Sequence, residues 1–159
     1  MLEGVIRIVI FIAYLVLIRQ MKDVQTMFRY HGAEHASIAC WEAKKSLTVK
    51  NVRQFSTIHP RCGTAFIGIV FILAIIIFSL ISVDVWWVRF VSRIVLVPII
   101  AGIAYEILKI NAKYKIPILN WLTLPGLWLQ KITTMSPNDK QLEVAIASLQ
   151  LVLAKEKVR

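Results

Sequence analysis

The sequence predicts an all-α integral membrane protein with three transmembrane helices, a cytoplasmic helical loop carrying a metal site, a broken interfacial or re-entrant segment and a C-terminal amphipathic helix. Three observations predict it. Hydrophobic residues fill 58% of the 159 positions, a share that a water-soluble domain of this length rarely reaches. Residues 64–83 run without a single charge. Lys and Arg outnumber Asp and Glu by 19 to 9, a net charge of +10, and these cations gather outside the apolar runs. One membrane domain over 1–159 follows, with no internal repeat and no low-complexity stretch.

Residues 4–18 are apolar except for Arg7. That is short of the roughly twenty residues that a perpendicular helix needs to cross the hydrocarbon, so the first span requires Arg7 to snorkel. A helix lying on the membrane surface is the other reading. No basic n-region precedes this run and no A-x-A cleavage pattern follows it, which predicts a retained anchor rather than a signal peptide. Residues 19–63 form a polar loop.

The run 64–83, TAFIGIVFILAIIIFSLISV, gives the strongest transmembrane signal. Asp84, Trp86 and Trp87 make a short polar break with interface aromatics, and 86–108 forms a third span containing Arg89, Arg93, Pro98 and Glu106. Two spans joined so tightly form an antiparallel hairpin. Residues 117–132, PILNWLTLPGLWLQKI, are apolar but interrupted by Pro125 and Gly126, hence the interfacial or re-entrant expectation. Ser136 as N-cap, Pro137 in the first turn and Asp139 at the positive end of the dipole predict a helix over 136–155. Its Leu142, Ala145, Ile146, Leu149, Val152 and Leu153 recur at helical spacing and mark one packing face.

Sidedness follows from the basic residues. Arg19, Lys22, Arg29, Lys44, Lys45, Lys50, Arg53 and Arg61 crowd the 19–63 loop, and Lys109, Lys113, Lys115, Lys131, Lys140, Lys155, Lys157 and Arg159 crowd the tail. The turn at Asp84 has none until Arg89. The positive-inside rule then places the loop and the C-terminus in the cytoplasm and Asp84 outside. In that reducing compartment Cys40 and Cys62 are read as thiols.

All three histidines lie between positions 31 and 59 of this loop. His31, Gly32, Ala33, Glu34 and His35 form an H-x-x-E-H pattern, and on a helix both imidazoles can reach one ion while Glu34 serves as general base. Inverzincin peptidases use the same pattern with a further carboxylate, and Glu42, eleven positions from His31, returns to nearly the same helical face. A polar helix face with solvated histidines is the bland counterpart. A second element, His59, Pro60, Arg61 and Cys62, has the H-x-x-C spacing of two ligands from one tight turn. Together these give a metal set of His31, His35, His59 and Cys62, whose mixed N and S donors suit zinc. Four protein ligands would make the site structural; three would leave a position for activated water.

Other groups carry less. Glu106 is either a functional carboxylate at membrane depth or the i,i+3 partner of Lys109, and Arg89 and Arg93 are snorkelling anchors or lipid headgroup contacts. Cys40, among Ile38, Ala39 and Trp41, reads as a small buried hydrophobe. No defined RNA-binding motif occurs, so sequence-specific nucleic-acid binding is not expected. The expected partners are membrane lipids, a second copy of the chain, or a translocon or ribosome facing the basic loop and tail.

The segments FRYHGAEHASI, STIHPRCGTAF, AGIAYEI, LPGLWLQKITT and SPNDKQLEVAIASL, in this order, resemble the YqhQ-like family of bacterial membrane proteins. Members share a domain of unknown function (number 1385) and are commonly labelled metal-dependent enzymes. The resemblance runs nearly end to end and falls on His31, Glu34, His35, Glu42, His59, Arg61, Cys62, Glu106, Pro125, Gly126, Asp139 and Glu143. It implies a bacterial inner-membrane, multi-pass protein with a metal site on the cytoplasmic side. Two departures stand out: Ala36 occupies a position where Lys is common, and the chain reads as a short form without the family's longer, Gly-rich N-terminal part. The combined expectation is a zinc-dependent hydrolase at the cytoplasmic membrane face, and its rival a non-catalytic, metal-stapled scaffold that assists membrane-protein insertion.

Overall fold

The computed structural model describes residues 2–81, 84–114 and 116–156, and among these every regular element is a helix. Ser82 and Val83 of the expected second span, and Lys115, Lys157 and Arg159 of the basic tail, lie outside the described residues. The helices are α1 (Leu2–Ile18), α2 (Lys22–Glu42), α3 (Val49–Val52), α4 (Gly63–Leu80), α5 (Trp86–Tyr114), α6 (Pro117–Thr133) and α7 (Asp139–Glu156). They distribute over two compact units, one of Met1–Ile12 with Pro60–Leu129, the other of Ala13–His59 with Gln130–Arg159.

Membrane character lies in the long apolar helices. Gly63–Leu80 and Trp86–Asn111 are each long and apolar enough to cross a bilayer, and a third crossing is added if Gly4–Ile18 and Lys22–Glu42, which meet at a bend of 100°, count as one broken span. On α5, Phe90, Ile94, Val95, Val97, Ile99 and Ile103 are all exposed. Water disfavours such a belt, whereas lipid tails accept it at no cost. Trp86 and Trp87 stand exposed at its head, where amphipathic rings suit an interface. Without a hydrophobic driving force between helices in lipid, close approach comes from small residues. A Cβ on Gly68 of α4 would lie 2.8 Å from the Gly126 Cα of α6, and a Cβ on Gly126 would collide with the backbone of Ala65.

That contact bears on α6. Residues 117–133 form one helix that runs through Pro125 instead of breaking there. Proline removes one helical hydrogen bond but leaves the chain helical when neighbouring packing holds both sides, and Gly126, the next residue, sits against α4. Helix α5 likewise contains Pro98 and continues six residues past the expected end at Leu108. Glu106 pairs with Lys109 at 3.6 Å on an exposed face, the bland alternative of the sequence reading.

The second unit has a small apolar core. Ala33, Ala36 and Cys40 of α2, Val52 of α3, and Leu142 and Ile146 of α7 are buried together, with Leu47, Phe55 and Ala145 packed around them. Burial pushes the Cys40 thiol above its ordinary value, against a weaker opposite pull from Lys45. This is the inert small hydrophobe that its neighbours suggested.

Helix α7 begins at Asp139, not at Ser136. Its cap is Asn138, whose Oδ1 accepts the Gln141 N–H at 2.9 Å while Gln141 Oε1 accepts the Asn138 N–H at 2.9 Å. A reciprocal pair satisfies two end groups where Ser136 would have satisfied one. Asn138→Ala is therefore expected to destabilise the protein by about 1 kcal/mol, and Ser136→Ala to leave it unchanged; thermal unfolding of the detergent-solubilised variants checks both.

Candidate metal centre

Helix α2 brings two imidazoles to one face because His31 and His35 are four residues apart. Their rings meet edge to face with centroids 4.3 Å apart. His31 is half-buried and His35 only 3% exposed. His31 Nδ1 lies 2.9 Å from the Thr133 carbonyl oxygen, and His35 Nδ1 lies 2.7 Å from the Thr57 carbonyl oxygen. A carbonyl oxygen only accepts, so each Nδ1 carries the proton and donates it. In the neutral ring the lone pair then resides on Nε2. Metal-ligating histidines characteristically donate their other N–H in this way, which fixes tautomer and ring orientation before any ion arrives.

The carbonyl partners are delivered by backbone geometry. The Met135 N–H donates to the Phe28 carbonyl at 2.9 Å, tying the 133–135 segment to the first half of α2. Gly32 lies against the same segment; a Cβ there would collide with the Met135 carbonyl oxygen and crowd Thr57. The absent side chain of Gly32 is thus what lets both Thr133 and Thr57 approach the histidine pair.

His59 joins the cluster with its ring centroid 5.8 Å from that of His35. It is 5% exposed. Its Nε2 faces Glu42 Oε2 at 3.4 Å. A carboxylate accepts, so Nε2 carries the proton of this pair. Glu42 thus reaches the histidine cluster, as its return to the same helical face suggested.

One residue that the sequence reading did not single out sets the position of His59. Gln130 is fully buried, and its side-chain amide clamps the His59 backbone: the His59 N–H donates to Oε1 at 2.8 Å, and Nε2 donates to the His59 carbonyl at 2.8 Å. The Gln130 carbonyl in turn accepts from the Thr134 hydroxyl at 2.7 Å. Nearby, Arg19 donates to the Lys131 carbonyl at 2.8 Å, a cation at the negative end of α6.

Cys62 belongs to the first unit, three residues beyond His59, as the N-cap of α4. Its Sγ accepts the Thr64 N–H at 3.4 Å and lies 3.2 Å from Thr64 Oγ1. It is buried and makes no disulfide, and the same holds for Cys40. Glu34 is exposed and turns to the groove between α2 and α7, beside Tyr30, Ser37 and Val144. At about 100° per residue a helix carries position 34 away from the face shared by 31, 35 and 42. Imidazole nitrogens of this kind fit a borderline-soft divalent ion.

Among known proteins, residues 1–155 match the family described as protein of unknown function (DUF1385). The chain is 37% identical over 156 residues to the uncharacterized protein YqhQ of Bacillus subtilis (strain 168). The aligned region is 98% of this chain but 49% of that protein, so the chain spans about half the length of this relative. No solved structure matches it.

Proposed function

Because the chain belongs to the DUF1385 family, whose function is unknown, its own donor set must carry the argument, and we propose that it is a zinc-dependent integral membrane protein acting as a hydrolase at the cytoplasmic membrane face. His31, His35, His59 and Cys62 are the proposed ligands. The supporting observation is the pair of Nδ1–carbonyl bonds, 2.9 and 2.7 Å long, that hold His31 and His35 in the ligating tautomer. Cys62 is included because three residues tie it to His59. When bound, zinc supplies Lewis acidity that polarises a carbonyl or phosphoryl oxygen.

The chain's own groups handle the proton. His59 Nε2 donates to Glu42 Oε2 at 3.4 Å, a bond that orients the His59 ring, and Glu42 is one candidate general base. Glu34, exposed on α2, is the other candidate base. Gln130 keeps the His59 backbone fixed so that this pair stays aligned.

The burial of His35 and His59 favours a second reading, a closed structural site that staples a scaffold whose basic loop and tail engage a translocon or ribosome. Metal analysis and complementation of a deletion strain separate the two. For the hydrolase, Glu42→Gln or Glu34→Gln retains zinc and helicity while complementation is lost. If both variants complement fully and only ligand replacement abolishes function, with loss of fold, the scaffold stands and the hydrolase falls.

A further inference from the structure

A groove of about 260 Å³ lies in the first unit, at the end of the helices away from Cys62, walled by the first turns of α1, the last turns of α4 and the second turn of α5. Its lining is apolar, with Phe71, Ile75 and Phe78 prominent, except that Arg7 and Arg93 both border it. The walls are tightly set. A Cβ on Gly4 would already touch Ile75 at 3.4 Å, and Phe11 packs edge to face on Phe71 with centroids 5.1 Å apart. The Arg93 guanidinium rests over the Phe78 ring at 5.7 Å, a cation held against the apolar wall.

Two guanidiniums bordering one apolar groove mark it as a candidate site for an anion. They also run against the charge asymmetry of the chain, whose other cations gather in the 19–61 loop and the tail. At this end Arg7, Arg89 and Arg93 still outnumber Glu3 and Asp84. A guanidinium has five N–H donors in a planar fork, so each arginine can bind a phosphate and keep its existing contacts. An apolar trough bordered by two such forks is complementary to one kind of molecule, an anion with a hydrocarbon tail.

We propose that this groove is a specific binding site for an anionic phospholipid of the surrounding leaflet. Arg7 and Arg93 grip its phosphate, and an acyl chain lies along Phe71, Ile75 and Phe78. This site is separate from the histidine cluster and does not depend on the metal.

Native mass spectrometry of the full chain in detergent, with phosphatidylglycerol and phosphatidylcholine of identical chains supplied equally, tests it. The wild type is expected to retain phosphatidylglycerol about thirtyfold over phosphatidylcholine, a factor of about five per arginine. Arg7→Gln with Arg93→Gln brings the ratio close to parity, and an excess of inorganic phosphate does not displace the lipid. A second measurement needs no variant: phosphatidylglycerol with a photoreactive acyl chain should label the Phe71–Ser79 segment of the wild type. Equal retention of the two lipids, an undiminished preference in the double variant, displacement by inorganic phosphate, or labelling only elsewhere would each overturn the assignment; displacement would mean that the groove takes a free phosphate.

Discussion

Replacing His35 with alanine is expected to reduce zinc in the purified protein from about one ion per chain to background, whereas Glu34→Gln leaves it at the wild-type level. His35 carries this weight because it is the most enclosed imidazole of the cluster and its orientation is set by the Thr57 carbonyl at 2.7 Å. Alanine removes the donor atom and also leaves that carbonyl without its partner, a cost of about 1–3 kcal/mol if water cannot reach it. The variant should therefore lose thermal stability even when metal-free samples are compared. Elemental analysis and thermal unfolding, with and without chelator, read the two effects separately. A variant that kept its zinc would remove the metal reading altogether.

The largest effect on stability is expected at Gln130. Its amide satisfies both the N–H and the carbonyl of His59 in a fully buried setting. Gln130→Ala orphans both groups at once, a loss of about 2–6 kcal/mol at about 1–3 kcal/mol for each buried group. Gln130→Glu separates the contributions: a carboxylate can still accept the His59 N–H but cannot donate to its carbonyl, and it places a charge where there is no solvent. Both variants should unfold at lower temperature and bind zinc more weakly, because His59 moves with its backbone. If Gln130→Ala matched the wild type in both measurements, the clamp would have no energetic role.

Much of this was legible in the residues alone. The charge-free run of α4, the apolar length of α5 and the 3.6-residue rhythm of Leu142, Ala145, Ile146 and Leu149 each write one element into local composition. The histidine face of α2 followed from spacing, and so did Glu42, because eleven residues make just over three turns. Three features were not legible, each for a physical reason. Gln130 acts on the main chain of His59, and a side-chain-to-backbone contact leaves no pattern in the partner's identity. The continuity of α6 through Pro125 depends on packing at Gly126, which propensity does not contain. The start of α7 rests on Asn138 with Gln141, a reciprocal cap that the nearer Ser136–Pro137 pair obscured.

Gly32 has a bearing beyond this one chain. Since the space of its missing methyl is taken by the Met135 carbonyl, any bulkier residue there must push the 133–135 segment outward and draw the Thr133 oxygen from His31. Natural variants that retain both histidines but have lost this glycine would thus be expected to orient His31 by some other acceptor, or to have given up the ion. A single codon then serves as a filter for sorting sequences that keep the site from those that merely keep the helices.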